Sequence, residues 1–300
     1  MTSKNLDKYR GCLLGLAVGD AIGTTVEFQP RGSFAPVKDM IGIGVFNLLP
    51  GQWTDDTSMA LCLATSLVEK NGFDPQDQME RYLRWLDDGY LSSTGRCFDI
   101  GNATHQALER FRSTGNPTSG STHPSQAGNG SLMRLAPVAL FYAPSESRAK
   151  SFAGKSSRTT HGSAECVQAC SLFAVMLVRA LNGDDKETIV KLEDSVGKYP
   201  EKILAIARGE YKNKPIQQIR GSGYVVDALE AALWCFWKTE SFSDAVLAAA
   251  NLGDDADTTA AICGQIAGAY YGQSGIPAHW LEKLYMREEI IQIANKLAEH

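Results

Sequence analysis

No C-x-x-C pair occurs in this chain, and its five histidines show no spacing that would hold zinc. The seven cysteines (Cys12, Cys62, Cys97, Cys166, Cys170, Cys235 and Cys263) are odd in number and scattered, which argues against a disulfide framework. Cys166 and Cys170 stand one helical turn apart in an apolar stretch and read as small core residues. Long apolar runs are missing as well. The longest uncharged stretch, between Glu165 and Arg179, is too short to cross a bilayer. Met1 to Arg10 is polar and charged, unlike a signal peptide. A soluble, cytoplasmic protein with no membrane partner is the expectation. Clustered positive charge is also lacking. The net charge is −5 and the basic residues are dispersed, so no nucleic-acid surface is expected. Strand alternation is scarce: only residues 37–49 read as a weak strand, with Gly42 and Gly44 inside it. No βαβ alternation appears, which disfavours a Rossmann sheet, and Gly42-x-Gly44 lacks the third glycine of a dinucleotide fingerprint.

What is present is helical periodicity and enough apolar residues, 44%, for a full core. Glycines at 11, 15, 19 and 23 bare one face of the first helix, so another backbone can approach it closely. Further helices are expected near 57–70, 75–88, 101–113, 131–142, 146–156, 162–182, 186–196, 200–209, 222–239, 242–250, 257–271 and 286–298. Pro137 should kink or restart the helix that contains it. Residues 113–130 are rich in Ser, Thr, Gly, Pro and Asn. The two acidic motifs described next lie on either side of this segment, so it reads as a long functional loop rather than a linker. The fold class expected is all-α, in one domain over 1–300.

Two acidic motifs stand far apart in the chain. Trp53-Thr54-Asp55-Asp56-Thr57 leads into one apolar helix, and Gly253-Asp254-Asp255-Ala256-Asp257-Thr258-Thr259 into another. Either motif alone is also what a helix start wants: Thr and Asp are good caps, and acids suit the positive end of the dipole. Adjacent carboxylates in both, however, repel one another unless a cation intervenes. If the two starts meet, they form an all-oxygen cluster suited to Mg²⁺ or Mn²⁺, with two ions expected, and hence a metal-assisted enzyme. The glycine-rich stretch Gly128-Asn129-Gly130-Ser131 is expected to open a helix and offer backbone N–H groups to a phosphate, an ordinary turn being the alternative. His161 is expected at a helix N-terminus, held neutral and free to bond a ligand, or simply capping. Asp99 reads as a cap, and Glu27 as a surface residue beside the glycine-lined helix.

Six strings occur together in order: Gly-Asp-Ala-Ile-Gly…Glu-Phe at 19–28, Trp-Thr-Asp-Asp-Thr at 53–57, Phe-Asp-Ile-Gly-Asn at 98–102, Gly-Asn-Gly-Ser-Leu-Met-Arg at 128–134, Thr-His-Gly at 160–162 and Gly-Asp-Asp-Ala-Asp-Thr at 253–258. In this the chain resembles the ADP-ribosylglycohydrolase family, which includes dinitrogenase-reductase-activating glycohydrolase and bacterial ADP-ribosylarginine hydrolases. The likeness runs from about Tyr9 to Gly272. It implies a compact all-α domain with a binuclear Mg²⁺ or Mn²⁺ site. It implies Thr54, Asp55, Asp56, Asp255, Asp257 and Thr258 as metal ligands, and Asp99 and Glu27 as the groups that move protons. Gly128, Asn129, Gly130, Ser131 and His161 fall where the family contacts the nucleotide. The implied activity is removal of mono-ADP-ribose from arginine on a protein, in regulation or in immunity to an ADP-ribosyltransferase toxin. The alternatives are serine-linked ADP-ribose, O-acetyl-ADP-ribose, or a relative that only binds ADP-ribose.

Overall fold

The computed structural model describes residues 3–191 and 199–300, and α-helices carry almost all of its regular structure. In chain order they are α1 (Ser3–Gly23), α2 (Asp55–Glu69), α3 (Pro75–Asp88), α4 (Asn102–Thr114), α5 (Ala136–Tyr142), α6 (Glu146–Ser157), α7 (Ala164–Asn182), α8 (Lys186–Val190), α9 (Glu201–Ala207), α10 (Val225–Lys238), α11 (Phe242–Ala250), α12 (Ala256–Tyr271), α13 (Ala278–Lys283) and α14 (Arg287–Leu297). Among the described residues there is no β-strand, only isolated bridges, so the all-α expectation holds.

The four spaced glycines of α1 receive α12. A Cβ added at Gly11, Gly15, Gly19 or Gly23 would lie 2.4, 2.2, 2.1 or 2.4 Å from the carbonyl oxygens of Gly268, Gly264, Ala260 and Ala256, respectively. The partner numbers fall as the α1 numbers rise, so the two helices run antiparallel. The approach is reciprocal: a Cβ at Gly264 or Gly268 would meet the carbonyls of Gly15 and Gly11 at 1.9 Å. Only glycine allows backbones this near. Dispersion attraction between the two closely packed backbones offsets its poor helix propensity. The pairing sets the end of α1, with Asp20 on its last turns, beside the start of α12, with Asp257.

Conventional signals shape the other elements. Asp74 accepts a cap bond from Asp77 N–H at the head of α3, and Gly89 ends that helix in the left-handed region. Ser163 caps α7, and Gly183 closes it in the same way. Helix α7 is apolar and long enough, at 19 residues, to match a bilayer by composition, yet 78% of its most apolar stretch is buried inside the protein. It is a core helix, which explains why both its faces are hydrophobic.

Two expectations need correction. The helix expected over 131–142 begins only at Ala136, with Pro137 in its first turn, where a missing N–H costs nothing. Residues 130–134 are turns. Residues 37–49 form no strand. Ile43, Gly42, Gly44 and Asn47 have positive φ, and a single bridge between Ile43 and Leu48 closes a tight loop instead. Helix α13 has no counterpart among the expected helices. The helix expected over 186–196 is present as α8, and its second half falls on 192–198, outside the described residues.

Candidate active site

Helices α2 and α12 start side by side, and the residues of the acidic motifs do not cap them. Thr54 and Asp255 are the N-cap residues, yet neither side chain makes a cap bond. Asp20 of α1 does that work for α2. Its Oδ1 accepts from the N–H and the Oγ1 of Thr54, both at 2.9 Å, and its Oδ2 from the N–H and Oγ1 of Thr57 at 3.0 and 2.6 Å. All four acceptor positions of this buried carboxylate are therefore used. Burial pushes its carboxyl up to about 6 in spite of these bonds. Asp20 is absent from the ligand set that the motifs suggest. A signal for it exists: it is the single charged residue between Gly11 and Gly23.

The motif carboxylates are left facing one another. Asp20, Asp56 and Asp257 each place an oxygen within 4.8 Å of the others, and so do Glu27, Asp99 and Asp257. Asp257 belongs to both groups. Three buried oxygens (Glu27 Oε2, Asp56 Oδ2 and Asp257 Oδ1) have no hydrogen-bond partner. Thr54 Oγ1 has one hydrogen but two carboxylate oxygens beside it, Asp20 Oδ1 at 2.9 Å and Asp257 Oδ2 at 3.2 Å. Thr258 Oγ1 lies 3.3 Å from Asp56 Oδ1. Burial above all, and then mutual repulsion, raises Asp55, Asp56 and Asp257 well above the usual carboxylate range. Burial also raises Asp255, against a bond from Asn129 Nδ2 at 2.7 Å. Unpartnered, buried, all-oxygen donors of this kind fit a hard cation.

Glu27 and Asp99 each bring a carboxylate oxygen within 4.8 Å of the other's and of Asp257's. Burial and then the Asp99 charge push Glu27 up to about 10; burial and then the Asp20 charge push Asp99 to about 7. Neither residue is the bland surface or cap group that its local sequence suggests.

Above the acids opens a cavity of about 360 Å³. Glu27, Asp55, Asp99, Asp255, Asp257 and Thr258 form its acidic end, and Gly128, Asn129, Gly130 and His161 its other wall. Thr54 and Asp56 are buried beneath this floor. Ser131 does not line the cavity; its Oγ bonds Ser157 Oγ at 2.9 Å. The helix start that does face the cavity is that of α4, through Gly101 to Thr104, and not the 128–134 stretch. A second hollow of about 460 Å³ continues from it past Gln106 and Tyr224, sharing Asn102, Ala103, Gly128 and Gly223. The 113–130 loop is built into this wall: Gly120 N–H bonds Arg158 O at 3.0 Å, and Ser121 O accepts from Gly162 N–H at 3.0 Å.

His161 is neutral, as expected, but for another reason. Its ring is lowered to about 3 by burial first and by the Arg134 charge second. Buried Arg134 donates through Nη2 to Thr160 Oγ1 at 2.6 Å and through Nη1 to Gly130 O at 2.8 Å. Thr160 Oγ1 in turn lies 2.8 Å from His161 Nδ1. Either group can donate in this contact, since the hydroxyl keeps a second lone pair beside the one the arginine uses. His161 Nε2 lies beside Gly128 and Gly130 at the cavity wall. Arg134 ends the sequence motif at 128–134 without a role that its local sequence reveals; in the fold it sets this arrangement.

A profile of the ADP-ribosylglycohydrolase family matches residues 1–300. The chain is 48% identical over 295 residues to ADP-ribosylarginine hydrolase Tri1 of Serratia proteamaculans (strain 568), covering 98% of this chain and 80% of that one. It is 50% identical over 292 residues to the protein of the same name from Pseudomonas putida (strain GB-1), covering 97% and 78%. A solved structure described as an ADP-ribosylglycohydrolase-related protein complex superposes with a TM-score of 0.88 at 43% identity, over 99% of both chains. The joined acid motifs, the cavity above them and these likenesses agree: the chain belongs to the ADP-ribosylglycohydrolase family.

Proposed function

We propose that this protein hydrolyses the N-glycosidic bond between ADP-ribose and arginine on modified proteins, reversing mono-ADP-ribosylation. The observation that carries the reading is the set of three buried, unpartnered carboxylate oxygens at the foot of a nucleotide-sized cavity. The likeness to two ADP-ribosylarginine hydrolases supports arginine as the linkage. Thr54, Asp55, Asp56, Asp255, Asp257 and Thr258 would hold two Mg²⁺ ions, with Mn²⁺ as the alternative. Bound there, the ions supply Lewis-acid polarisation of the ribose hydroxyls and of the attacking water.

The chain's own residues position the substrate and move the proton. Hydrolysis puts a hydroxyl on the anomeric carbon and a proton on the departing guanidine nitrogen, which leaves poorly without one. Glu27, raised to about 10 by burial first, and Asp99 line the acidic end where that bond would lie, and one of them would supply the proton. His161, through Nε2, and the start of α4 would offer a hydrogen bond and a positive dipole to the diphosphate. The hollow beside Tyr224 takes the rest of the nucleotide. The same activity would serve immunity to an ADP-ribosyltransferase toxin, and co-purification with such a toxin tests that finer role.

The first experiment follows release of free ADP-ribose from a protein bearing arginine-linked ADP-ribose, with Mg²⁺, with Mn²⁺ and after chelation, beside a serine-linked substrate. Metal-dependent release from the arginine substrate alone is expected. Release from serine alone would change the substrate, and release that survives exhaustive chelation would remove the metal from the reading.

A further inference from the structure

Seven large apolar side chains are exposed among the described residues, and five of them belong to one stretch: Phe28 (63%), Ile41 (48%), Ile43 (62%), Val45 (59%) and Leu49 (68%). Tyr285, a sixth, adjoins it, since its N–H bonds Gly51 O at 3.1 Å. No charged residue occurs between Asp39 and Asp55. The stretch is thus an apolar, uncharged ridge on a protein whose other exposed apolar groups are sparse.

The ridge is held firmly. Ile43 and Leu48 exchange backbone hydrogen bonds of 2.7 and 2.9 Å, and Thr25 Oγ1 donates to Gly42 O at 3.2 Å. Gly44 packs so close to α1's exit that a Cβ there would lie 2.1 Å from Thr24 O. Exposure of these side chains is therefore fixed by the backbone beneath them.

The ridge is also continuous with the acidic end of the cavity. Phe28 lines that end next to Glu27, Phe28 packs on Phe46 at 6.4 Å between ring centroids, and Phe46 packs on Phe98 at 5.2 Å, just before Asp99. The hollow at Gln106 and Tyr224 lies beyond the cavity's other wall. A nucleotide with its glycosidic bond at the acids and its base in that hollow would leave the arginine on the Phe28 side of the cavity. An arginine side chain is too short to hold a folded protein clear of this rim.

We propose that the ridge of residues 41–49, with Phe28, is the surface on which a folded ADP-ribosylated protein rests, through apolar contacts, while its modified arginine enters the cavity. This rests on the hydrolase reading above. Contact of this type is apolar at its centre and insensitive to salt.

The test uses two substrates, a folded protein carrying arginine-linked ADP-ribose and free ADP-ribosylarginine. It uses two variants, Val45→Ser and the triple Ile43→Ser, Val45→Ser, Leu49→Ser, with melting temperatures to confirm folding. For the triple variant we expect KM for the protein substrate to rise about tenfold or more, with kcat held, and the single variant to fall between. Turnover of free ADP-ribosylarginine should stay within about twofold of wild type, and the contrast should persist at high salt. Equal losses on both substrates, or none on either, would overturn the ridge as a docking surface. So would a wild-type dimer that the triple variant breaks while KM stays put, since the ridge would then join two copies. A wild-type protein that cleaves neither substrate overturns the hydrolase reading and the ridge with it; one that cleaves both leaves the hydrolase reading standing whatever the variants do.

Discussion

Asp20 makes four hydrogen bonds with two oxygens, and through them one buried residue of α1 fixes the first turn of α2. Asp20→Asn keeps the shape but replaces one acceptor oxygen by an NH₂ group. At least one buried donor at Thr54 or Thr57 then goes unmet, which costs on the order of 1–3 kcal/mol. Urea titration measures this, and an unchanged midpoint would show that the bonds are not needed. Asp56 should behave in the opposite way. Its Oδ2 has no partner and its charge is crowded by Asp20 and Asp55. Asp56→Asn should therefore raise the melting temperature of the metal-free protein by about a few degrees, while turnover falls by about a hundredfold or more. A lower melting temperature would mean that the carboxylate holds structure. His161 gives a pH signature. Its folded pKa of about 3 lies below its ordinary value, so the unfolded chain binds the extra proton between the two. Its contribution to stability is then full above about 6.5 and drains away as pH falls toward 3. Melting curves of wild type and His161→Gln should converge as pH drops from 7 to 4. Curves that stay parallel would show a histidine that is not buried neutral.

At the scale of elements, the α1–α12 contact decides where the acids meet. Gly15→Ala or Gly19→Ala puts a methyl group into a carbonyl of α12, where the backbone cannot yield. Such overpacking costs about 1–3 kcal/mol or more. Turnover should fall as well, because Asp257 moves with α12 relative to Asp20 and Asp56. Full activity in either variant would mean that the spacing is not demanding. The stripe on α1 is legible in the sequence because four glycines at a spacing of four have no other helical use. Its partner stripe, Gly264 and Gly268, is equally visible, but periodicity says nothing about which helix faces which. The late start of α5 follows from Pro137, whose place in the sequence already marks a restart. The tight loop at 42–47 reads as a weak strand because Ile and Val suggest extension, while the positive φ values at Gly42, Ile43, Gly44 and Asn47 forbid it.

At the scale of the whole molecule, the proposed ligands come from the starts of α2 and α12, which lie far apart in the chain. Binding of Mg²⁺ or Mn²⁺ should then stabilise the entire fold, by about 2.7 kcal/mol when the free ion is a hundred times its dissociation constant. Thermal melts with and without metal measure this, and Asp257→Asn should abolish the increment. An increment that survives the substitution would place the ion elsewhere. The two acid motifs are readable as one site from the sequence, since adjacent like charges at two apolar helix starts call for a cation between them. Glu27 and Asp99 are readable only through the family resemblance, because a lone carboxylate gains its meaning from what the fold puts across from it.

The antiparallel pair of α1 and α12 also bears on how the molecule is made. Helix α1 is the first of the described helices to leave the ribosome, and its bare glycine face matches only α12. Everything between Gly23 and Ala256 must be synthesised before that match exists, a delay on the order of tens of seconds at ordinary elongation rates. During that interval an apolar helix with an exposed seam waits without its partner, and contacts this distant in sequence form slowly. The acids of the two motifs cannot gather before then, so a chain released early lacks the site, and its first helix is the segment that chaperones would be expected to cover.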